Sequence, residues 1–414
     1  MRPDDLRPAS LPSMDQATLD AAALIMDAVR SGGEAVLADY AARLDGNPGR
    51  LWYGPEDFQA ALAGLESSRC GALERCAGRV EDFARAQLAC LSALDTAVPG
   101  GRAGHHLVPL ENAGCYAPGG RFPLPTSVIM TAVPARVAGV GHVAVACPRP
   151  ERSILAACAL AGADLLLAAG GAQAIAALAY GCGTLEPRDI IVGPGNRWVS
   201  AAKMLAQART RTDAPAGPSE LLIVGDGSAD PAALAWDLAA QAEHDPDARA
   251  CLAVSSEDYA RRVEAELALV LDSLDADATA SAANARSALA SSWCLVDPDM
   301  GVLMDAAARV APEHLELATA DPDSLLPLVR HAGAVFMGPA SAEAFGDYGA
   351  GPNHVLPTAG RARSHGGLSV FDFLRVRSWL RLDAPAALAG DVAALASMEG
   401  LRAHRGSAEV RLEG

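Results

Sequence analysis

The chain predicts an α/β protein whose parallel sheets are covered by helices on both faces. Short apolar runs alternate with alanine-rich helical patterns over much of its length, which is the order that builds such sheets. The runs are apolar throughout instead of alternating with polar residues, as strands buried on both faces must be. Two of them lead directly into a glycine-rich turn ahead of a helical pattern, at the carboxyl ends of strands where such sheets bind ligands.

Taken in order, residues from about Leu19 to Leu94 read as helices. Leu24, Ile25, Val29 and Leu37 recur at helical spacing, with Gly32-Gly33 as a break. Strands are expected at His142–Cys147, Asp164–Leu167, Asp189–Val192, Glu220–Val224, Ala250–Val254, Trp293–Val296 and Ala334–Phe336. Helices are expected at Ile154–Ala161, Ala172–Tyr180, Trp198–Ala208, Pro231–His244, Tyr259–Leu274, Val302–Val310 and Ser324–His331. Asp230-Pro231 is a helix start, a capping carboxylate followed by a proline in the first turn. The stretch Ile154 to Tyr180 is the longest apolar one, but Asp164 and Gly170-Gly171 interrupt it. A membrane helix needs about 20 unbroken apolar residues, so the stretch reads as helix, strand, turn and helix. The last segment, about Ser369 to Gly414, reads as helical and without strands.

The 414 residues suggest two or three domains. Fifty acids against 33 bases give a formal charge of −17. That balance disfavours nucleic acid and anionic membranes as partners. Lys203 is the single lysine, which makes Schiff-base chemistry a poor expectation. The nine cysteines form no CxxC pair, so they read as reduced core residues of a cytoplasmic protein. The first residues lack the apolar core of a secretion signal.

Chemistry concentrates in the run from Glu343 to Pro357, where Asp347, Asn353 and His354 sit among glycines and prolines on a shaped loop. Three more polar islands stand apart in the chain: Gln241 to His244, Pro312 to His314 and Glu399 to His404. Gln241 and His244 lie three apart on one helical face, a spacing that suits zinc and equally suits a histidine closing a helix. Glu313 and His314 are neighbours, so their side chains diverge. They fit two separate proton-transfer roles or an exposed pair at a helix start. The turns Gly193–Asn196 and Gly170–Gln173 either let backbone approach a ligand and offer helix N-terminal amides to a phosphate, or serve only as strand-to-helix connections; neither matches GxGxxG.

From about Val108 onward these islands fall into one ordered set of motifs. They are Tyr116 to Gly120, Gly170 to Ala176, Val192 to Asn196, Ala216 to Glu220, Gln241 to His244, Ala311 to Leu315, Gly346 to Tyr348, Asn353 to Thr358 and Glu399 to His404. In this the chain resembles the histidinol dehydrogenase family. The resemblance implies two Rossmann-like parallel-sheet domains, a helical N-terminal region and a small, mainly helical C-terminal dimerisation tail. Its implied boundaries are an N-terminal arm over 1–15, a first domain over 16–115 and 220–366 with the metal and catalytic residues, a dinucleotide-binding domain over 116–219, and an intertwined tail over 367–414.

The resemblance also implies a homodimer with shared sites and one zinc per subunit, held by Gln241, His244, Asp347 and a partner's copy of His404. It assigns His314 as general base and Glu313 as the group that activates water. Tyr116, Gln173 and Asn196 would contact NAD. Ser219, Gln241, His244, His314, Asp347, His354, Glu399 and His404 would contact the substrate. The implied reaction is a four-electron, NAD-dependent oxidation of L-histidinol to L-histidine through a bound aldehyde, the last step of histidine biosynthesis. A paralogous dehydrogenase of another hydroxylated acid, such as a sulfonated diol, is the alternative, and a zinc hydrolase using Glu313 is a third. Glu399 separates the first two, since a carboxylate suits a cationic amine and repels a sulfonate. Leu44, Ala117 and His365 depart from the family pattern, and Cys115 beside Tyr116 reads as packing.

Overall fold

A computed structural model describes Leu6 and residues 15–119, 123–214, 217–276 and 280–412. Most of the expected arm over 1–15, Gly120 and Ala216 therefore lie outside the described residues. Helix α1 (Gln16–Leu44) starts at Asp15, whose carboxylate accepts the Thr18 N–H at 2.8 Å. It runs through the expected break as a kink at Gly33, where φ is 61°. Strand β1 (Trp52–Tyr53), helices α2 (Pro55–Ala63) and α3 (Ser67–Ala89), and strands β2 (Leu94–Val98) and β3 (Gly101–Pro109) follow.

The first sheet uses β4 (Asn112–Tyr116), α4 (Pro125–Ala138), β5 (His142–Ala146), α5 (Arg152–Ala161), β6 (Leu165–Leu167), α6 (Gly171–Tyr180), β7 (Ile190–Val192), α7 (Arg197–Ala206) and β8 (Arg211–Thr212). Its order is β1-β6-β5-β4-β7-β8, parallel except for β1 at the edge. The second sheet uses β9 (Glu220–Gly225), α8 (Pro231–Glu243), β10 (Arg249–Val254), α9 (Glu257–Ala276), α10 (Ala280–Ala290), β11 (Cys294–Val296), α11 (Met300–Val310), β12 (His314–Ala318), α12 (Pro322–Leu325) and β13 (Ala334–Met337). Its order is β11-β10-β9-β12-β13, all parallel. In both sheets the first parallel strand, β4 or β9, lies between the second and the fourth, the Rossmann-like arrangement in which strand order reverses at the middle. After α13 (Glu343–Asp347) come β14 (Leu374–Leu382), α14 (Ala386–Met398) and α15 (Arg402–Glu409).

The fold class stands as read, and several elements differ. Strand β14 lies in the segment read as wholly helical and pairs antiparallel with β3. Its arginines alternate along an exposed face, so it never forms an apolar run. Strand β12 lies where Glu313-His314 could have opened a helix. The Ser324–His331 helix is one α-turn followed by a 3₁₀ turn, Leu326–Leu328, because Pro327 has no N–H to continue it. Residues 16–115, expected with the second sheet, pack on the first: α1 lies against α6 and α7, α2 against α5, and α3 against α4. The expected boundary at 115/116 falls within β4, whose five residues pair as one strand with β5.

One segment joins the two units. Val355, Leu368, Val370 and Phe373 come after the second sheet, yet they are buried in the core of the first. Phe373 is fully buried. Phe373→Ala should therefore lower stability by about 3–5 kcal/mol through lost burial and a residual cavity. Urea unfolding of the purified protein checks this.

Candidate active site

The site is built on the N-terminal edge of the second sheet. In β12 the residues His314, Glu316 and Ala318 share one face, and β9 lies beside it with His314 opposite Leu221. Glu313 and His314 are both buried, not exposed. The Glu220 peptide serves both. Its N–H donates to Glu313 Oε2 at 2.9 Å, and its carbonyl lies 3.2 Å from His314 Nδ1. A carbonyl only accepts, so Nδ1 carries the proton and Nε2 keeps the lone pair. Nε2 is 4.0 Å from Asp347 Oδ1. Burial pushes the His314 pKa down to about 4, against the pull of Asp347, and this keeps the imidazole neutral. Burial first, then the charges of Glu220 and Asp347, raises the Glu313 carboxyl well above its usual range, against the Glu220 hydrogen bond.

Helix α8 brings Gln241 and His244 to the same place. His244 forms its C-cap, as one reading of the sequence had it, and also holds Nε2 3.7 Å from Asp347 Oδ2, as the other required. Asp347 ends α13, and its carbonyl accepts from His354 Nδ1 at 2.9 Å. The donor atoms of His244, Glu343 and Asp347 all lie within 4.8 Å of one another. Glu343 had no role in the sequence reading. It stands four residues before Asp347 on a helix, so both carboxylates share a face, and that spacing was the available signal. Its Oε1 is 4.0 Å from His314 Nδ1, and its Oε2 has no hydrogen-bond partner among the described residues. Gln241 is fully buried, and neither of its amide atoms has a partner among the described residues. An orphaned buried amide costs about 1–3 kcal/mol, and a cation would satisfy its oxygen. An imidazole nitrogen, carboxylate oxygens and an amide oxygen suit zinc.

The loop carrying Asp347 is held from the other unit. Arg79 Nε donates to the Gly349 carbonyl, and Asn353 Nδ2 donates to the Met130 carbonyl at 2.6 Å. Gly349 has φ 82°, and a Cβ there would stand 2.4 Å from Cys76 Sγ. Ser219 is half-buried just before β9. Glu399 and His404 lie on the exposed C-terminal helices, outside the cluster that gathers His244, Glu343 and Asp347.

The three dinucleotide candidates stand at the carboxyl ends of the first sheet's strands, and each already pairs one polar side-chain atom within the protein. The Tyr116 hydroxyl accepts from the Gly171 N–H at 3.3 Å. Asp45 Oδ2 accepts from Gly170 N–H at 2.9 Å and from Gln173 Nε2 at 3.0 Å. Asn196 caps α7 by accepting from Trp198 and Val199 N–H. These amides were expected to be open to a phosphate, and flanking side chains take them instead. Cys115 is packing, as read: burial pushes its thiol up to about 12.

Comparison with known proteins agrees with this geometry. The family model described as histidinol dehydrogenase matches residues 11–412. A histidinol dehydrogenase of Pseudomonas fluorescens is 41% identical over 411 residues, covering 97% of this chain and 91% of the relative. One from Chromobacterium violaceum is 42% identical over 412 residues, covering 97% and 94%. The crystal structure of histidinol dehydrogenase from Elizabethkingia anophelis superposes with a TM-score of 0.91 at 29% identity, over 99% of this chain and 94% of that one. With the family model spanning nearly the whole sequence and relatives 41% and 42% identical along almost its full length, the chain belongs to the histidinol dehydrogenase family.

Proposed function

We propose that the protein oxidises L-histidinol to L-histidine through a bound aldehyde, with two NAD⁺ consumed and one zinc ion per subunit. The observation that carries this reading is the meeting of His244, Glu343 and Asp347 within 4.8 Å of one another, with His314 Nε2 beside Asp347. When bound, the zinc supplies a Lewis acid that orients the substrate's amine and imidazole, and NAD⁺ supplies the electron sink. His244, Asp347 and Gln241 would hold the ion, with Glu343 as a further carboxylate.

The chain's own residues do the rest. His314 Nε2 takes the alcohol proton, since Nδ1 is tied to the Glu220 carbonyl. Glu313 takes a proton from water for the second oxidation, and burial gives its carboxylate the higher proton affinity a base needs. Ser219, His354, Glu399 and His404 complete the substrate contacts. Glu399 favours a cationic amine over the sulfonate of the alternative substrate.

The tail supports a homodimer with shared sites. Leu395, Met398, Leu401 and Val410 are exposed in the single chain, Met398 at 81%. A second copy would cover them and bring its His404 to the ion. No described helix is long and apolar enough to cross a membrane.

Three outcomes follow. Purified zinc-loaded protein should yield two NADH per histidinol, with little turnover of a sulfonated diol in the same panel. No NADH from histidinol rejects the reading. Zinc should raise the melting temperature, and more so as pH rises. Glu313 and Glu343 have raised pKa values, so in the metal-free protein their burial opposes ionisation and lowers stability as pH climbs above the ordinary 4.5. Melting curves with zinc and with chelator at about pH 5 and about pH 8, both above the ordinary carboxylate range, test the sign. Finally, mixing inactive His404→Ala and Asp347→Ala subunits should restore part of the activity, because one site of each mixed dimer is intact. Mixed dimers that stay inactive would exclude shared sites.

A further inference from the structure

We propose that Lys203 and Asp213 are positioning residues for the dinucleotide: a buried ion pair that fastens the N–H and the carbonyl of Gly193 and so sets the Gly193–Asn196 turn. This rests on reading that turn as a dinucleotide contact. Lys203 is the chain's single lysine and is 4% exposed. Its ammonium donates to Asp213 Oδ1 and to the Gly193 carbonyl. Asp213 Oδ2 in turn accepts the Gly193 N–H at 2.6 Å. Amide, carboxylate, ammonium and carbonyl thus close a ring through one residue.

Gly193 needs holding from outside. Its φ is +113°, and a Cβ would stand 2.0 Å from the Tyr116 carbonyl oxygen, so no side chain can anchor it. Three residues on, Asn196 caps α7, which couples the turn to that helix. A buried ion pair is a costly way to fill space, and apolar residues would do as well or better. Here both charges converge on the peptide of a turn at the carboxyl end of β7, beside Tyr116. Because the Gly193 amide and carbonyl are both committed, the ligand meets the turn through Pro194, Gly195 and Asn196. Without the ammonium the carbonyl loses its partner, and a glycine in this region is free to rotate its peptide.

Lys203→Met alone leaves a buried carboxylate without its counter-charge and weakens folding. The decisive variant is therefore Lys203→Met with Asp213→Asn. Its KM for NAD⁺ should rise about tenfold, a loss of one decade in binding. Its kcat at saturating NAD⁺ and its KM for histidinol should stay near the parent values. A second readout uses the single lysine. Protein labelled with ¹³C at lysine Cε gives one lysine signal, and NAD⁺ alone should shift it while histidinol alone should not. If the parent protein binds no NAD⁺, the functional reading fails. If the parent binds NAD⁺ but the double variant keeps its KM, or loses kcat with KM unchanged, or the lysine signal ignores NAD⁺, the positioning role is overturned.

Discussion

The site depends on one residue's backbone, that of Glu220 at the start of β9. Its N–H holds the Glu313 carboxylate and its C=O holds the His314 ring, so two successive peptide groups of one strand orient both side chains. The Glu220 side chain is also held, by the Ala359 N–H at 3.0 Å, which ties the strand to the loop following Pro357. This works only because β9 and β12 are adjacent parallel strands with His314 opposite Leu221. A slip of one residue would turn His314 and Glu316 to the opposite face, among Leu303, Met304 and the other residues packed around Leu315 and Leu317. The register of a sheet interior thus sets the tautomer of a base.

The two sheets share one strand order but use opposite edges. In the first, Tyr116, Gly170 and Gly193 lie at carboxyl ends of strands, as open α/β sheets lead one to expect. In the second, the chemistry sits at the amino ends of β9 and β12. Its carboxyl-end crevice is closed from within: Asp226, following β9, accepts the Ala320 N–H beyond β12 at 2.9 Å and two bonds from Ser228. These three donors are thereby committed to the protein's own carboxylate. The opposite edge instead receives the C-terminal end of α8, and that places His244 above His314.

Legibility followed burial. Strands such as Glu220–Val224 and Ile190–Val192 are buried on both faces, so their composition alone marks them. Strand β12 was missed because His314 and Glu316 are two of its five residues, polar groups where a core strand would be apolar. Strand β4, with Asn112, Gly114 and Cys115, lacks the β-branched residues that signal extension. At the site, the spacing of Gln241 and His244 was readable because it is set by one helix. The association of His314 with Glu220 is set by strand pairing across 94 residues, and no local pattern encodes it. Glu343 escaped because its helix is only five residues long and looked like part of a loop.

The electrostatics of this edge narrow what can occupy it. Glu313, Glu343 and Glu316 are buried carboxyls whose pKa values all rise, chiefly through desolvation and then through neighbouring acids such as Asp347 and Asp237. Two nearby imidazoles, those of His314 and His354, are pushed the other way and contribute no charge at neutral pH. Desolvation opposes the ionisation of these acids, and positive charge brought from outside favours their ionised forms. A divalent cation near His244 and Asp347 and a cationic substrate amine both bring it, whereas a sulfonate adds negative charge beside them. The buried acids therefore favour a positively charged occupant over a negative one.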